Sequence, residues 1–186
     1  MLLPLSIIYL IINLLSVIFK SKKKFPIPVI CVGNLYLGGT GKTPLVRKIF
    51  SITKSINKNP AIIKKYYKYL YDEIKMLEET GKVFLCRRRQ DGIISASKNK
   101  YNVAILDDGF QDLSIESNFS ILCFNSKQSL SNGLTIPSGP LREPLRAASR
   151  ADCIIINGIK NSKLEDKLDK ILEKKKLPIF YSKYKI

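Results

Sequence analysis

Between Gly33 and Thr43 the chain reads Gly-Asn-Leu-Tyr-Leu-Gly-Gly-Thr-Gly-Lys-Thr. Glycines let a backbone wrap closely around an anion. The N–H groups at the start of the following helix, together with its dipole, bind phosphate oxygens. Lys42 in such a loop reaches the β- and γ-phosphates of a nucleotide, and the Thr43 hydroxyl holds Mg²⁺. The strict phosphate-loop pattern has glycine where this chain has Tyr36, so the match rests on Gly38-Gly39-x-Gly41-Lys42-Thr43. A glycine-rich turn with a chance Lys-Thr is the plainer alternative, and the strand–loop–helix setting argues against it.

The second group of reactive residues is Asp107-Asp108-Gly109, which ends the apolar run Val103 to Leu106. Acids at the carboxyl end of a buried strand are placed to bind Mg²⁺ near a phosphate loop. Asp-Asp-Gly is also a common turn; the pairing with the loop gives it meaning. The third group is Arg142-Glu143-Pro144, at the end of a stretch rich in Gly and Pro. Arg142 is suited to neutralise phosphate charge and Glu143 to complete a metal site, although a rigid surface loop is the default for such a sequence.

These residues need a scaffold. Short apolar runs at Val29–Val32, Ala61–Ile63, Val83–Cys86, Val103–Leu106, Ile121–Phe124 and Cys153–Ile156 read as strands. Pro178 to Tyr181 reads as the start of one more. Helices are expected over Pro44–Lys54, with Leu45, Ile49 and Ile52 on one face, over Asp72–Glu79, and over Leu164–Lys174, with Leu164, Leu168, Ile171 and Leu172 together. Strands alternating with helices argue for an α/β fold with a parallel sheet. Residues 126–144 form the one long Gly-, Pro- and Ser-rich region, and such loops in compact domains are usually functional.

The chain of 186 residues carries 25 lysines and seven arginines against 15 acids, a net charge of +17. Lys22-Lys23-Lys24, Arg87-Arg88-Arg89 and Lys174-Lys175-Lys176 are short basic clusters. This is either a solvated lysine-rich surface or one attracted to an anionic partner, membrane or nucleic acid. The absence of histidine excludes imidazole chemistry from this chain. Cys31, Cys86, Cys123 and Cys153 are too far apart in sequence for a zinc knuckle or a redox pair, and read as buried thiols in a reducing compartment. Residues 2–19 hold no charge, and lysines follow at once. As a helix this segment is about 27 Å long, just short of a bilayer core. A basic start and a cleavage site, which a signal peptide requires, are missing. Pro4, Ser6, Asn13 and Ser16 favour an anchor embedded in the membrane without a full crossing.

Taken together, Gly33 to Pro44, Leu106-Asp-Asp-Gly-Phe-Gln111, Ile136-Pro-Ser-Gly-Pro-Leu-Arg-Glu-Pro144 and Ala151-Asp-Cys-Ile-Ile-Ile-Asn-Gly158 resemble the tetraacyldisaccharide 4′-kinases, the lipid A 4′-kinases of Gram-negative bacteria. The likeness runs to about Lys160. It implies transfer of the γ-phosphate of ATP, with Mg²⁺, to the 4′-hydroxyl of a tetraacylated glucosamine disaccharide 1-phosphate at the cytoplasmic face of the inner membrane. It implies ATP-binding roles for Tyr36, Leu37, Gly38, Gly39, Thr40, Gly41, Lys42 and Thr43, and metal-site roles for Thr43, Asp107, Asp108 and Glu143. Asp72, in the pair Asp72-Glu73, matches the family's candidate base. Lys42 and Arg142 assist transfer, Arg89 matches an arginine near the active site, and Gln111 follows the acids as in the family.

Three departures accompany the likeness. Lys64-Lys65-Tyr66-Tyr67 stands where the family has Ser-Arg-Gly-Tyr, and Asp112 stands where it often has histidine. The family also continues into a second domain whose histidine partners the catalytic Asp, so this chain resembles a form truncated at its C-terminus. The expected organisation is a membrane-anchoring helix with its basic flank over residues 1–24 and a P-loop NTPase-like nucleotide-binding kinase domain over 25–186. The expected partners are the anionic glycolipid acceptor and the membrane surface, and no nucleic acid. A catalytically impaired nucleotide-binding membrane protein is the alternative, as is a nucleic-acid-associated ATPase suggested by the charge alone. Without the histidine and the second domain, turnover by this chain is expected to be poor while nucleotide binding survives.

Overall fold

A computed structural model describes residues 2–19, 21–67, 70–127, 132–172 and 175–183. It divides into two compact units. One comprises Lys22–Gly33 and Lys42–Ser120; the other comprises Met1–Ser21, Asn34–Gly41 and Ile121–Ile186. The chain passes between them at Ser21-Lys22, Gly33-Asn34, Gly41-Lys42 and Ser120-Ile121, the second and third of these at the ends of the glycine-rich segment.

The first unit alternates strand and helix: β1 (Val29–Gly33), α2 (Lys42–Ser55), β2 (Pro60–Lys65), α3 (Tyr71–Glu78), β3 (Val83–Cys86), α4 (Arg89–Lys98) and β4 (Val103–Asp107). The strands lie in the order β3-β2-β4-β1, all parallel, with Ile62 opposite Ile105 and Cys31 opposite Leu106. Val29, Val32, Ile62, Ile63, Ile105 and Leu106 are completely or almost completely buried, as strands covered by helices require.

Two helices of this unit depart from the sequence expectation. The buried stripe of α2 is Leu45, Val46, Phe50 and Thr53, while Ile52 is 47% exposed. Positions 46, 50 and 53 share one face at helical spacing, and the large Phe50 ring takes the core position that Ile49 and Ile52 were expected to share. The helix α4 was not anticipated. Its buried stripe is Arg89, Gly92, Ile93 and Ala96, a regular helical spacing built from residues that read as polar or weak. A side chain at Gly92 would lie 2.8 Å from Ile63 Cγ2 and 2.9 Å from Cys86 Sγ, so glycine permits α4 to pack tightly on the sheet.

The second unit contains α1 (Leu3–Phe19), β5 (Phe119–Asn125), a 3₁₀ helix at Leu145–Arg150, β6 (Cys153–Asn157), α5 (Ser162–Leu172) and β7 (Ile179–Ser182). Strands β5, β6 and β7 are neighbours in that order and parallel. Leu164, Leu168 and Leu172 form the buried face of α5. Residues 173–174, the expected end of that helix, lie outside the described residues, as do Lys20 and 128–131 of the long loop.

The α1 helix is two-sided. Ser6 is buried; its Oγ donates to the Thr135 carbonyl at 3.1 Å and accepts from the Ser138 N–H at 3.0 Å. Tyr9 OH donates to the Arg142 carbonyl at 2.7 Å. Leu5, Ile8, Ile12 and Leu15 are about half exposed on the outside. Among the described residues no helix is long and apolar enough to cross a membrane. All four cysteines are free, three of them buried.

Candidate phosphate-loop site

In the first unit, Lys42 opens α2 and its Nζ lies 3.6 Å from Asp108 Oδ1. Asp108 follows the last residue of β4 in a left-handed conformation, φ +56°. Two contacts hold that turn. Arg89 Nη2 donates to the Asp108 carbonyl at 2.7 Å, and the same guanidinium lies 3.6 Å from Asp112 Oδ2. The Gly109 N–H donates to the Val32 carbonyl at 3.2 Å. A Cβ on Gly33 would meet Phe110 Cβ at 2.4 Å, so only glycine lets β1 pass this turn. Asp112 is thus paired with Arg89.

Asp107 is buried and has a different partner. Lys64 on β2 is its register neighbour on β4, and the Lys64 Nζ forms an ion pair with Asp107 Oδ2. The same ammonium lies 2.9 Å from Glu73 Oε2. Burial lowers the proton affinity of Lys64, but Asp107 and Glu73 outweigh it and hold the lysine above its usual range. Burial pushes the Asp107 carboxyl up, and Lys64 pulls against that shift. Asp72 is exposed in the first turn of α3, beside Glu73.

In the second unit, residues 34–41 are held from several sides. Asn34 Nδ2 donates to the Gly38 carbonyl at 3.3 Å, and the Leu37 N–H to the Pro140 carbonyl at 2.9 Å. The Arg142 N–H donates to the Leu35 carbonyl at 2.7 Å. Asn157, at the end of β6, donates through Nδ2 to the Thr40 carbonyl, and Ser182 Oγ donates to Asn157 Oδ1. Gly41 takes φ +81°, a conformation glycine adopts without strain.

Tyr36, the residue that breaks the strict pattern, turns its side chain inward. It is 1% exposed and meets Phe124 edge-on, ring centroids 5.9 Å apart. The Tyr36 ring therefore anchors the base of the loop, and the loop's exposed face is supplied by Leu37, Gly38 and Gly39. Glu143 is buried and pairs with Arg150 Nη2 at 2.6 Å. A cavity of about 260 Å³ beside that pair is lined by Leu10, Asn13, Pro144 and Arg146 among others.

Of the residues expected in the site, Lys42 and Asp108 come within 3.6 Å of each other, while Asp107 pairs with Lys64; Lys64, Arg150 and Asn157 were not among those expected. The signal for Lys64 was a lysine placed directly after the apolar run Ala61–Ile63 and still within the strand. Asn157 lies within the Ala151 to Gly158 motif, whose spacing alone gives it no role. Among the described residues no three acids or thiols are grouped as a metal centre.

The sequence matches the family profile described as LpxK, tetraacyldisaccharide-1-P 4′-kinase, over residues 1–70 and 68–185. The chain belongs to this family. It is 42% identical over 165 residues to the tetraacyldisaccharide 4′-kinase of Pelagibacter ubique, covering 87% of this chain and 51% of that protein. It is 31% identical over 150 residues to that of Rhodopseudomonas palustris, covering 71% and 44%. The chain spans about half the length of these curated relatives. Its fold is similar to LpxK from Aquifex aeolicus, solved in complex with ATP, with a TM-score of 0.73 and 23% identity over 98% of this chain and 80% of the other. FlhF complexed with GTP and Mg²⁺ shares the fold at a TM-score of 0.60 and 15% identity, over 90% and 70% of the two chains.

Proposed function

We propose that the chain serves an ATP-dependent lipid kinase that phosphorylates the 4′-hydroxyl of a tetraacylated glucosamine disaccharide 1-phosphate in lipid A biosynthesis. The observation that carries this reading is the Lys42–Asp108 pair, a loop lysine beside a strand-end acid, in a member of this kinase family.

In this reading the amides of residues 36–43 and the Lys42 ammonium hold the nucleotide phosphates. Thr43 and Asp108 offer the hard oxygen donors that Mg²⁺ takes when phosphates and water supply the rest of its shell. Asp107 belongs to the same acidic pair, with its charge shared with Lys64. Glu143 is assigned to the metal by the family motif, and its own surroundings include Arg150 as a competing partner. Bound Mg²⁺ supplies charge neutralisation on the transferred group. Asp72, exposed on α3, accepts the proton as the 4′-oxygen bonds to phosphorus and ADP leaves. Arg142 adds positive charge for the phosphates.

The half-exposed apolar side of α1, with Lys22, Lys23 and Lys24 after it, supports attachment to a membrane surface. This segment, residues 1–24, is assigned to the cytoplasmic face of the bacterial inner membrane, and residues 25–186 to nucleotide binding. The basic surface then serves anionic lipid, and no nucleic acid partner is invoked.

The test is transfer of labelled γ-phosphate from ATP to the disaccharide in detergent micelles. Product carrying label at the 4′-position, absent with Lys42→Ala, supports the reading. Label appearing in water alone, or at another hydroxyl, contradicts it.

A further inference from the structure

Lys64 lies deep in the β2–β4 interface with 3% of its surface exposed. A lysine so placed is costly unless its charge is fully used. Its partners lie on two different elements. Asp107 ends β4 directly opposite Lys64 in the strand register, and Glu73 stands in the first turn of α3 at 2.9 Å. The helix that Glu73 belongs to is weakly built by itself. The α3 helix has eight residues, and Leu70 at its N-cap provides no side-chain hydrogen bond to the first turn. Helices this short are marginal without tertiary support, and a missing cap leaves its first amides unsatisfied by side chains. The buried residues Ile74 and Leu77 hold the middle of α3, and the Lys64–Glu73 contact reaches its first turn.

We propose that Lys64 is a positioning residue that ties the first turn of α3, which carries Asp72, to the carboxylate at the end of β4. The inference rests on the kinase reading for the role of Asp72. It goes beyond that reading by making an internal lysine the link between the acidic strand end and the residue that receives the proton. In this chain Asp107 is consequently engaged by a fixed cation, and Asp108 is the acid on the side of Lys42. Neither Lys64 nor Glu73 touches the reacting atoms in this account; both act by placing Asp72.

The experiment uses the full chain and the variants Glu73→Gln, Glu73→Asp and Lys64→Met. Hydrogen exchange is followed at residues 71–78, with Mg·ATP titration and 4′-kinase turnover measured on the same samples. Glu73→Gln keeps the buried Lys64–Asp107 pair, so it tests the link even if Lys64→Met does not fold. The expected result for Glu73→Gln is about tenfold faster exchange in α3 with β2 and β4 unchanged. Nucleotide affinity should stay within about threefold, and kcat should fall about tenfold or more without a matching rise in KM for ATP. Glu73→Asp should restore part of both losses. Unchanged exchange in α3 for Glu73→Gln overturns the proposal. So does a loss of Mg·ATP affinity equal to the loss of turnover, because the contact would then serve the nucleotide site. If the unsubstituted chain sends label to water alone or to another hydroxyl, the kinase reading fails, while the exchange comparison still decides whether Lys64 holds α3.

Discussion

The Lys42 ammonium, at the first residue of α2, lies 3.6 Å from a carboxylate oxygen of Asp108, one residue past the end of β4. Both side chains are partly buried, so this contact is screened less than a surface ion pair. It keeps the lysine at the helix start, where a phosphate would compete for it. Arg89 fixes the other side of the same turn through the Asp108 carbonyl. Lys42 and Arg89 thus hold the acid that follows β4 from two sides, one at its carboxylate and the other at its carbonyl.

The two adjacent acids should respond differently to neutralisation. Asp108→Asn is expected to weaken Mg·ATP binding by about tenfold or more and to leave binding of Mg-free ATP unchanged or tighter, as read by titration with and without EDTA. Asp107→Asn instead removes a partner from the buried Lys64 and should cost about 3 kcal/mol of folding stability, measured by chemical denaturation. Equal effects of both variants on Mg²⁺ dependence would contradict the division of roles.

Restoring the pattern's glycine at Tyr36 should harm the protein. Tyr36→Gly removes a buried ring that packs on Phe124, and its expected cost is about 3–5 kcal/mol, with weaker ATP binding because the loop loses its anchor. Denaturation and ATP titration read the two effects. A variant that is more stable and binds ATP more tightly would show that the ring has no anchoring role.

Stability should fall at alkaline pH. Burial holds the Tyr36 phenol far above its ordinary value, and its hydroxyl has no hydrogen-bond partner among the described residues. Lys64 is also raised, with its two acids outweighing burial. For both groups the folded state binds its proton more tightly than the unfolded state. Their contribution is complete below the unfolded values, about pH 10, and is lost as pH rises toward the folded ones. Denaturation midpoints measured from pH 8 to 11 should drop above about pH 10, and Tyr36→Phe should reduce that drop.

The outer side of α1 predicts binding to membranes. Ile8→Ser combined with Ile12→Ser, both on the half-exposed side, should lower cosedimentation with anionic vesicles by about tenfold or more. The folded core should be untouched, because Ser6 and Tyr9 make the contacts that dock this helix. Undiminished vesicle binding by the double variant would remove α1 from the attachment.

Much of the scaffold was legible because its strands are short apolar runs bounded by turn residues, from Val29 through Cys153. The elements that escaped have a physical reason. The buried stripe of α4 contains Arg89 and Gly92, so its periodicity carried no hydrophobic signal, and close packing replaced it. In α2 the spacing of Leu45 and Ile52 suggested a face that the bulk of Phe50 overrode. Among candidate site residues, Lys42 and the acids were readable from local spacing. Lys64 and Arg150 were not, because each matters through a partner from elsewhere in the chain: Asp107 lies 43 residues away, and Arg150 meets Glu143 only after the chain turns through the 3₁₀ helix.

The most direct test of the account is nucleotide binding by the loop itself, measured by calorimetric titration of Mg·ATP into the unsubstituted chain and into Lys42→Ala. Saturable one-to-one binding is expected, weakening about 100-fold on losing the Lys42 ammonium, by analogy with the rate lost when one preorganised charge-stabilising donor is removed. The same affinity in both proteins would contradict it, since the phosphates would then be held somewhere other than residues 36–43.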